Sequence, residues 1–217
     1  MGGAGKTVLA SSVVRNPDVR KHFRGGIFWL NVGRAGKTQL VALLGGLAAK
    51  MIATPSGPRN FNSVDDVVQS LSAVATENDL RLLVVVDDVW QREIVDVLVP
   101  TGVQLLVTTR VRGVVAVDGG CTEVGSVTQA EARQLLKSKS GAVVLPEREA
   151  DQVAEECGRL ALALAIAGSL PCVIRSPDYA LSWQQLHAEI KEKKATRLGL
   201  QMSTDCVDDP SKMSLFP

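Results

Sequence analysis

The sequence predicts an α/β protein, with a parallel sheet packed by helices, followed by a small all-helical region. A continuous apolar run at 82–86 is typical of a strand covered on both faces. Strand-like and helix-like segments alternate up to about residue 125, and only helical patterns follow. We therefore expect an α/β domain over 1–125, a helical subdomain over 126–194, and a disordered or linker tail over 195–217.

Hydrophobic periodicity assigns the segments of the α/β region in chain order. Helices are expected at 8–14, 40–53 and 64–75, the last preceded by Ser63 as its cap. Strands are expected at 27–32, 82–86 and 103–110, with a short further strand possible at 121–124. Residues 16–23, which contain Asn-Pro and several charges, are expected to form a connection. The Pro-, Gly- and Ser-containing segment 54–60 is expected to form a loop.

The helical region carries its own start signals. Thr128 is a favourable N-cap residue, and Pro146 is a favourable residue for opening a helix. Helices are expected over 129–139, 147–158, 159–170, and from Pro177 or Asp178 to 194. Four such helices predict a small bundle attached to the α/β core.

Composition narrows the classes of function. The chain has 217 residues, 46% of them hydrophobic, and 24 basic against 23 acidic residues, which gives a net charge of +1. This balance gives no long-range attraction to nucleic acid or to an anionic membrane. The four cysteines form no C-x-x-C pair, no signal pattern is visible, and the longest apolar run is far below the roughly 20 residues of a membrane span. We expect a soluble, cytoplasmic protein.

The first seven residues, MGGAGKT, carry the strongest chemical signal. A glycine-rich turn ending in Gly-Lys-Thr lets backbone N–H groups surround a phosphate, while the lysine neutralises it and the hydroxyl holds Mg²⁺. The dipole of the helix that follows also favours an anion. The predicted nucleotide-binding residues are Gly2, Gly3, Ala4, Gly5, Lys6, Thr7 and Val8, and Thr7 is also a predicted Mg²⁺ ligand.

This phosphate-loop pattern lacks its first glycine. The full pattern G-x-x-x-x-G-K-[ST] would place that glycine one position before Met1, so the leading glycine and the strand before it are expected to be missing. The sequence is therefore expected to be a fragment of a longer protein.

Two aspartates follow the apolar strand. Asp87 and Asp88 lie where a parallel strand delivers its carboxyl end to a ligand crevice. In a phosphate-loop enzyme the first acid holds Mg²⁺ and a second acid can orient the attacking water. We predict Asp87 as a metal ligand and Asp88 as a catalytic residue. The alternative is a strand that simply ends in a turn.

The next strand ends in Thr108, Thr109 and Arg110 at the same edge of the predicted sheet. An arginine there could bind a terminal phosphate through two hydrogen bonds, and so distinguish ATP from ADP. The alternative is a solvated loop arginine.

Taken together, these motifs resemble the NB-ARC module, the nucleotide switch of plant disease-resistance receptors and apoptosome-forming proteins. The matching segments follow the family's order: MGGAGKT, GGIFWLNVG, LLVVVDDVW, LLVTTR and CGRLALAL. The resemblance implies an ADP-bound off state, an ATP-bound on state and slow hydrolysis that resets the switch. It also implies a role for each site residue. Lys6 and Thr7 would bind phosphate and Mg²⁺, and Asp87 would bind Mg²⁺. Asp88 would lie beside the attacking water, and Arg110 would be the sensor of the terminal phosphate.

The same resemblance implies that Leu160 and Ala161 belong to the nucleotide site. At Ala161 this chain differs from the family pattern. The family has a proline that approaches the nucleotide where this chain has Ala161. The family also implies winged-helix and repeat domains after the helical region, which are expected to be missing from this fragment, and a homo-oligomer on activation.

A second Gly-Lys-Thr occurs at 33–38, GRAGKT, between an apparent strand and an apparent helix. The leading-glycine position of that segment is Asn31, and the resemblance assigns it to the second strand and its helix. It remains a competing candidate for the phosphate loop.

Two other readings stay open beside the switch: a turnover phosphate-loop ATPase or kinase, and a remnant or scaffold that no longer binds nucleotide. His22 and His187 show no metal-ligand pattern, and Trp90 and Trp183 are expected to pack rather than stack on a base.

Overall fold

A computed structural model describes residues 2–34, 39–52, 61–77, 81–114, 120–171 and 182–205, with the backbone alone for residues 77 and 195–205. The chain forms two compact units, Met1–Val124 and Gly125–Pro217. The first contains a parallel sheet with helices on both faces, which confirms the predicted fold class. Among the described helices none is long and apolar enough to cross a bilayer.

The sheet of the first unit contains β1 (Gly26–Asn31), β2 (Leu82–Val89) and β3 (Gln104–Thr109), in that spatial order. Both pairings are parallel, and β2 lies in the middle. Alternate residues of β2 enter two different hydrophobic clusters: Val84 and Val86 on one face, Leu83 and Val85 on the other. This burial on both faces explains why the run 82–86 contains no polar residue.

Helices cover the two faces of the sheet. The helices of this unit are α1 (Lys6–Arg15), α2 (Pro17–His22), α3 (Leu40–Met51), α4 (Val64–Glu77) and α5 (Glu93–Leu98), with short 3₁₀ turns at Val99–Thr101 and Arg112–Val114. Ala10 of α1 packs with Leu83 and Val85, whereas α3, α4 and α5 supply apolar side chains to the cluster on the opposite face. The sheet therefore presents its carboxyl edge between two helical layers.

Two local predictions in this unit are wrong. The segment expected to be a connection at 16–23 contains α2, because the Asn16 side chain accepts a hydrogen bond from the N–H of Asp18 and Pro17 occupies the first helical turn. No strand forms at 121–124, where three of the four residues are solvent-exposed and none of the described strands pairs with them. The loop predicted at 54–60 lies outside the described residues.

The second unit is helical: α6 (Gln129–Ser140), α7 (Glu147–Glu156), α8 (Ala161–Ser169) and α9 (Trp183–Asp205). Thr128 caps α6 in a reciprocal arrangement with Glu131, and Pro146 is the N-cap residue of α7, as the sequence predicts. The predicted start of the last helix at Pro177 or Asp178 lies outside the described residues. Helix α9 extends to Asp205, beyond the predicted end at 194, because Ala, Arg, Leu, Gln and Met favour helix and a single glycine costs only about 1 kcal/mol.

An ion pair joins α6 to α7. Arg133 donates to the carboxylate of Asp151 through two nitrogens and also reaches Glu147. The hydrogen bonds from Arg133 lower the pKa of Asp151, and that of Gln129 adds to the effect. This carboxylate is therefore ionised throughout the neutral range.

Helices α6 and α8 approach each other closely at Gly168. A β-carbon added there would lie 2.9 Å from Cβ of Lys139 and 3.1 Å from the carbonyl oxygen of Leu136. Gly46, on the exposed side of α3, has no such neighbour within 4 Å. The two helical glycines thus differ in burial and in the space available for a side chain.

We expect opposite effects from the same substitution at these two glycines. Gly46→Ala should raise the free energy of unfolding by roughly 0.5–1 kcal/mol, because alanine restricts the unfolded chain and favours helix. Gly168→Ala should lower it, since overpacking of about 1–3 kcal/mol exceeds that gain. Thermal unfolding followed by circular dichroism checks both, and stabilisation by Gly168→Ala would contradict the close approach of α6 and α8.

Candidate functional site

The amino-terminal turn leads directly into α1. Gly3 has a φ of 76° and Gly5 a φ of 99°, both in the left-handed region that favours glycine. Gly5 is the N-cap residue of α1, and its carbonyl accepts the first helical hydrogen bond, from the N–H of Leu9. A turn of this kind ahead of a helix forms the concave backbone arrangement that binds anions.

This turn contacts the central strand through one hydrogen bond. The hydroxyl of Thr7 donates to Oδ1 of Asp87 at 2.9 Å, across 80 positions of sequence. The hydroxyl of Thr108 donates to the same oxygen at 2.5 Å. Asp87 is only 7% exposed, so its carboxylate depends on hydroxyl donors of this kind. The end of the phosphate loop, β2 and β3 therefore meet at one carboxylate.

A β-bulge shapes the acidic pair. Between Val86 and Val89 the register of β2 against β3 shifts by one residue, and Asp88 has a φ of 55°. Aspartate tolerates this left-handed conformation better than most residues. The N–H of Asp88 donates to the hydroxyl of Thr108 at 2.9 Å, so one threonine side chain contacts both acidic residues.

The carboxylate of Asp88 has two partners of its own. Arg110 Nε donates to Oδ1 at 3.1 Å, and the indole Nε1 of Trp90 donates to Oδ2 at 3.1 Å. The guanidinium of Arg110 also lies against the amino-terminal turn, where a β-carbon at Gly2 would be 2.9 Å from its Nη1. Arg110 is thus adjacent both to the acidic pair and to the turn.

The donor set fits Mg²⁺ bound together with phosphate. The described residues contain no group of three or more His, Cys, Asp or Glu side chains that could hold a metal ion. Thr7 and Asp87 offer two hard oxygen ligands within hydrogen-bond distance of each other. Magnesium needs six oxygens and commonly takes several from water and phosphate, so these residues suit a nucleotide-bound ion rather than a free one.

The predicted site residues fall into two groups. Contacts bring Gly2, Thr7, Asp87, Asp88 and Arg110 together within the first unit. The others of the turn are placed as follows: Gly3, Ala4 and Gly5 before α1, Lys6 as its first residue, and Val8 within it, 73% exposed.

Leu160 and Ala161 belong to the second unit, as the N-cap residue and the first residue of α8, and their part in a nucleotide site stays a prediction. Of the competing segment 33–38, Gly33 and Arg34 are described, whereas 35–38 lie outside the described residues.

Sequence reasoning missed Thr108 and Trp90. The parallel pairing of β2 with β3 was predictable, but the threonine that reaches both aspartates depends on the bulge. Trp90 was expected only to pack, yet its indole N–H contacts Asp88, and its ring lies under the guanidinium groups of Arg34 and Arg110 at 4.8 and 5.4 Å. Its position two residues after Asp88 was the available signal.

A glycine turn before a helix, beside acids at the carboxyl end of a parallel strand, defines the phosphate-loop NTPase type of α/β protein. The family model "NB-ARC domain" matches residues 1–144, more than half of the chain. The chain belongs to the NB-ARC family of nucleotide-binding signalling modules.

Similar proteins come from animals and plants. The chain is 25% identical over 214 residues to apoptotic protease-activating factor 1 of Homo sapiens, and 25% identical over 215 residues to that of Danio rerio, with 94% of this chain and 16% of each relative covered. It is 26% identical over 215 residues to a probable disease resistance protein of Arabidopsis thaliana, with 88% of this chain and 23% of the relative covered. The chain therefore spans less than a quarter of the length of these relatives.

Replacing Thr108 tests how the acidic pair is held. We expect Thr108→Val to lower the free energy of unfolding by about 1–3 kcal/mol, because it removes a hydroxyl from a buried carboxylate and leaves the N–H of Asp88 without its acceptor. Thr109→Val is the matched control, since the Thr109 hydroxyl also donates, to the Val89 carbonyl and at 3.3 Å to that of Val111, and accepts from the Val111 N–H. Those groups are closer to solvent, so urea unfolding should show a smaller loss. Equal losses of unfolding free energy in the two variants would contradict the role of Thr108 in holding both aspartates.

Proposed function

We propose that this chain is an ADP- and ATP-binding molecular switch with slow ATP hydrolysis. The observation that carries the proposal is the hydrogen bond of Thr7 to Asp87, because it joins the phosphate loop to the metal-binding acid expected of such a site. The bulge that holds Asp88 and the contact of Arg110 with the turn support the same reading.

The names of the relatives support a role in cell-death or defence signalling. Their names describe an apoptotic protease-activating factor and a probable disease resistance protein, and both are much longer than this chain. We infer that the chain works with flanking domains, in the cytoplasm, and that activation produces a homo-oligomer.

Each residue of the turn has a part in phosphate binding. The backbone of Gly2, Gly3, Ala4 and Gly5 would surround the phosphates, Lys6 would neutralise them, and Val8 would continue the helix whose dipole favours them. Thr7 and Asp87 would hold Mg²⁺. When bound, Mg–ATP supplies the phosphoanhydride bond and the ion that offsets its charge.

Asp88 and Arg110 would respond to the terminal phosphate. Asp88 would orient the attacking water, and Arg110 would exchange its carboxylate partner for a phosphate oxygen. Their side chains are 36% and 43% exposed, and ion pairs so exposed contribute only about 0–1 kcal/mol. Arg110 can therefore leave Asp88 at small cost.

One phosphate contact does not suffice for a complete switch. Moving a two-state equilibrium from 1:99 to 99:1 needs about 5.5 kcal/mol of differential binding. We propose that Leu160 and Ala161 of the helical unit also contact the nucleotide, and that flanking domains supply the remainder.

ADP should stabilise the protein against heat. A ligand at 100 times its Kd adds about 2.7 kcal/mol to the free energy of unfolding, so Tm should rise. Lys6→Ala should abolish the rise, whereas Lys50→Ala, which removes an exposed lysine of α3, should not. Differential scanning fluorimetry with and without ADP measures this change in Tm. An undiminished rise of Tm in Lys6→Ala would count against this phosphate site.

Two further measurements separate the proposal from the alternatives. Multiple-turnover phosphate release at about 1 per second or faster would favour an ordinary ATPase or kinase over a slow switch. No uptake of labelled ADP in equilibrium dialysis would favour a scaffold that no longer holds nucleotide.

A further inference from the structure

Trp90 contacts Asp88 and two arginines, Arg34 and Arg110. It follows the last residue of β2, its indole Nε1 donates to Oδ2 of Asp88, and its ring lies under the guanidinium groups of Arg34 and Arg110. We propose that Trp90 is a positioning residue of the nucleotide site, which orients Asp88 through its N–H and Arg110 through its ring. This inference rests on the proposed function.

The carboxylate of Asp88 needs a partner that stays in place. Its two oxygens are held by different groups, Oδ1 by Arg110 and Oδ2 by Trp90. When Arg110 turns to a terminal phosphate, Oδ1 loses its donor. The indole N–H carries no charge and is not drawn to phosphate, so it continues to hold Oδ2. Trp90 thereby keeps the carboxylate aligned when a water molecule must be oriented.

The backbone of Asp88 makes this support more important. Its φ of 55° is a sparsely populated conformation, maintained in a bulge by contacts from neighbouring strands. The Thr108 hydroxyl accepts from the N–H of Asp88, but it donates its single proton to Asp87 and not to the carboxylate of Asp88. The indole N–H is therefore the uncharged group that sets the orientation of this side chain.

The ring face of Trp90 acts on Arg110 in a different way. A guanidinium above an indole ring is attracted by the ring quadrupole and uses none of its five N–H donors for that contact. Arg110 can then exchange Asp88 for phosphate without leaving the ring. Arg34 lies over the same ring at 4.8 Å, so one neutral side chain holds two positive charges close to the site.

Two substitutions of Trp90 separate these roles. Trp90→Phe keeps an aromatic face but removes the N–H, whereas Trp90→Leu removes both. We expect Trp90→Phe to slow single-turnover ATP hydrolysis about tenfold or more, with the ratio of ADP to ATP affinity changed by less than about twofold. Trp90→Leu should slow hydrolysis equally and also shift that ratio by about threefold or more.

Trp29→Phe is the matched control. It also removes an indole N–H that donates to a neighbouring side-chain oxygen, Oδ1 of Asn31, and it lies in the same sheet. It should leave hydrolysis and the affinity ratio unchanged. The proposal would be overturned if Trp90→Phe and Trp90→Leu both kept the wild-type rate of hydrolysis and the wild-type ratio of ADP to ATP affinity. It would also be overturned if both variants shifted that affinity ratio by the same factor.

A nucleotide-free measurement keeps this test separate from that of the proposed function. In a Trp29→Phe, Trp183→Phe background Trp90 is the single tryptophan of the chain. Its emission should change with Asp88→Asn and with Arg110→Gln, but not with Arg112→Gln, whose ion pair with Glu123 does not involve Trp90.

Emission unaffected by both site substitutions would overturn the Trp90 contacts. Failure of the wild-type chain to bind ADP or ATP would overturn the proposed function instead, while the emission measurement still decides the contacts of Trp90.

Discussion

The structure of the site depends on one buried carboxylate. Asp87 lies in β2, and the hydroxyl groups that donate to it come from Thr7 in α1 and Thr108 in β3. A carboxylate that is only 7% exposed must be hydrogen-bonded, and these donors come from segments far apart in sequence. The same contacts that satisfy Asp87 therefore fix the glycine turn against the carboxyl edge of the sheet.

The arrangement of Asp88 follows from the same constraint. Successive residues of a regular strand point to opposite faces, so a second acid after Asp87 would be carried away from Thr108. The bulge and the left-handed backbone of Asp88 interrupt that alternation, and one threonine hydroxyl then contacts both residues. Arg110 and Trp90 complete the group as ordinary consequences of where β3 and β2 end.

The sequence predicted the parts of the molecule that rest on local pattern. The apolar run of β2 and the cap at Thr128 follow from periodicity and capping chemistry, whereas the short helices α2 and α5 were not expected. The errors occurred where local signals compete. Asn16 and Pro17 can begin a helix as readily as a connection. Residues 121–124 have a strand-like sequence, but none of the described strands pairs with them. The role of Thr108 was missed because its contact with both aspartates depends on a one-residue bulge, which the pattern of a strand does not reveal. The role of Trp90 was missed because this residue was expected only to pack.

The most direct test of the account is a double-mutant cycle between Thr7 and Asp87. Isothermal titration of a non-hydrolysable ATP analogue, with and without Mg²⁺, gives the Mg²⁺-dependent part of the affinity for the wild type, Thr7→Ala, Asp87→Asn and the double variant. If both residues hold one ion, each single substitution removes most of the Mg²⁺-dependent affinity, and the double substitution removes little more than either single one. A Mg²⁺-dependent affinity that survives Asp87→Asn, or losses that simply add, would contradict a shared metal–phosphate site.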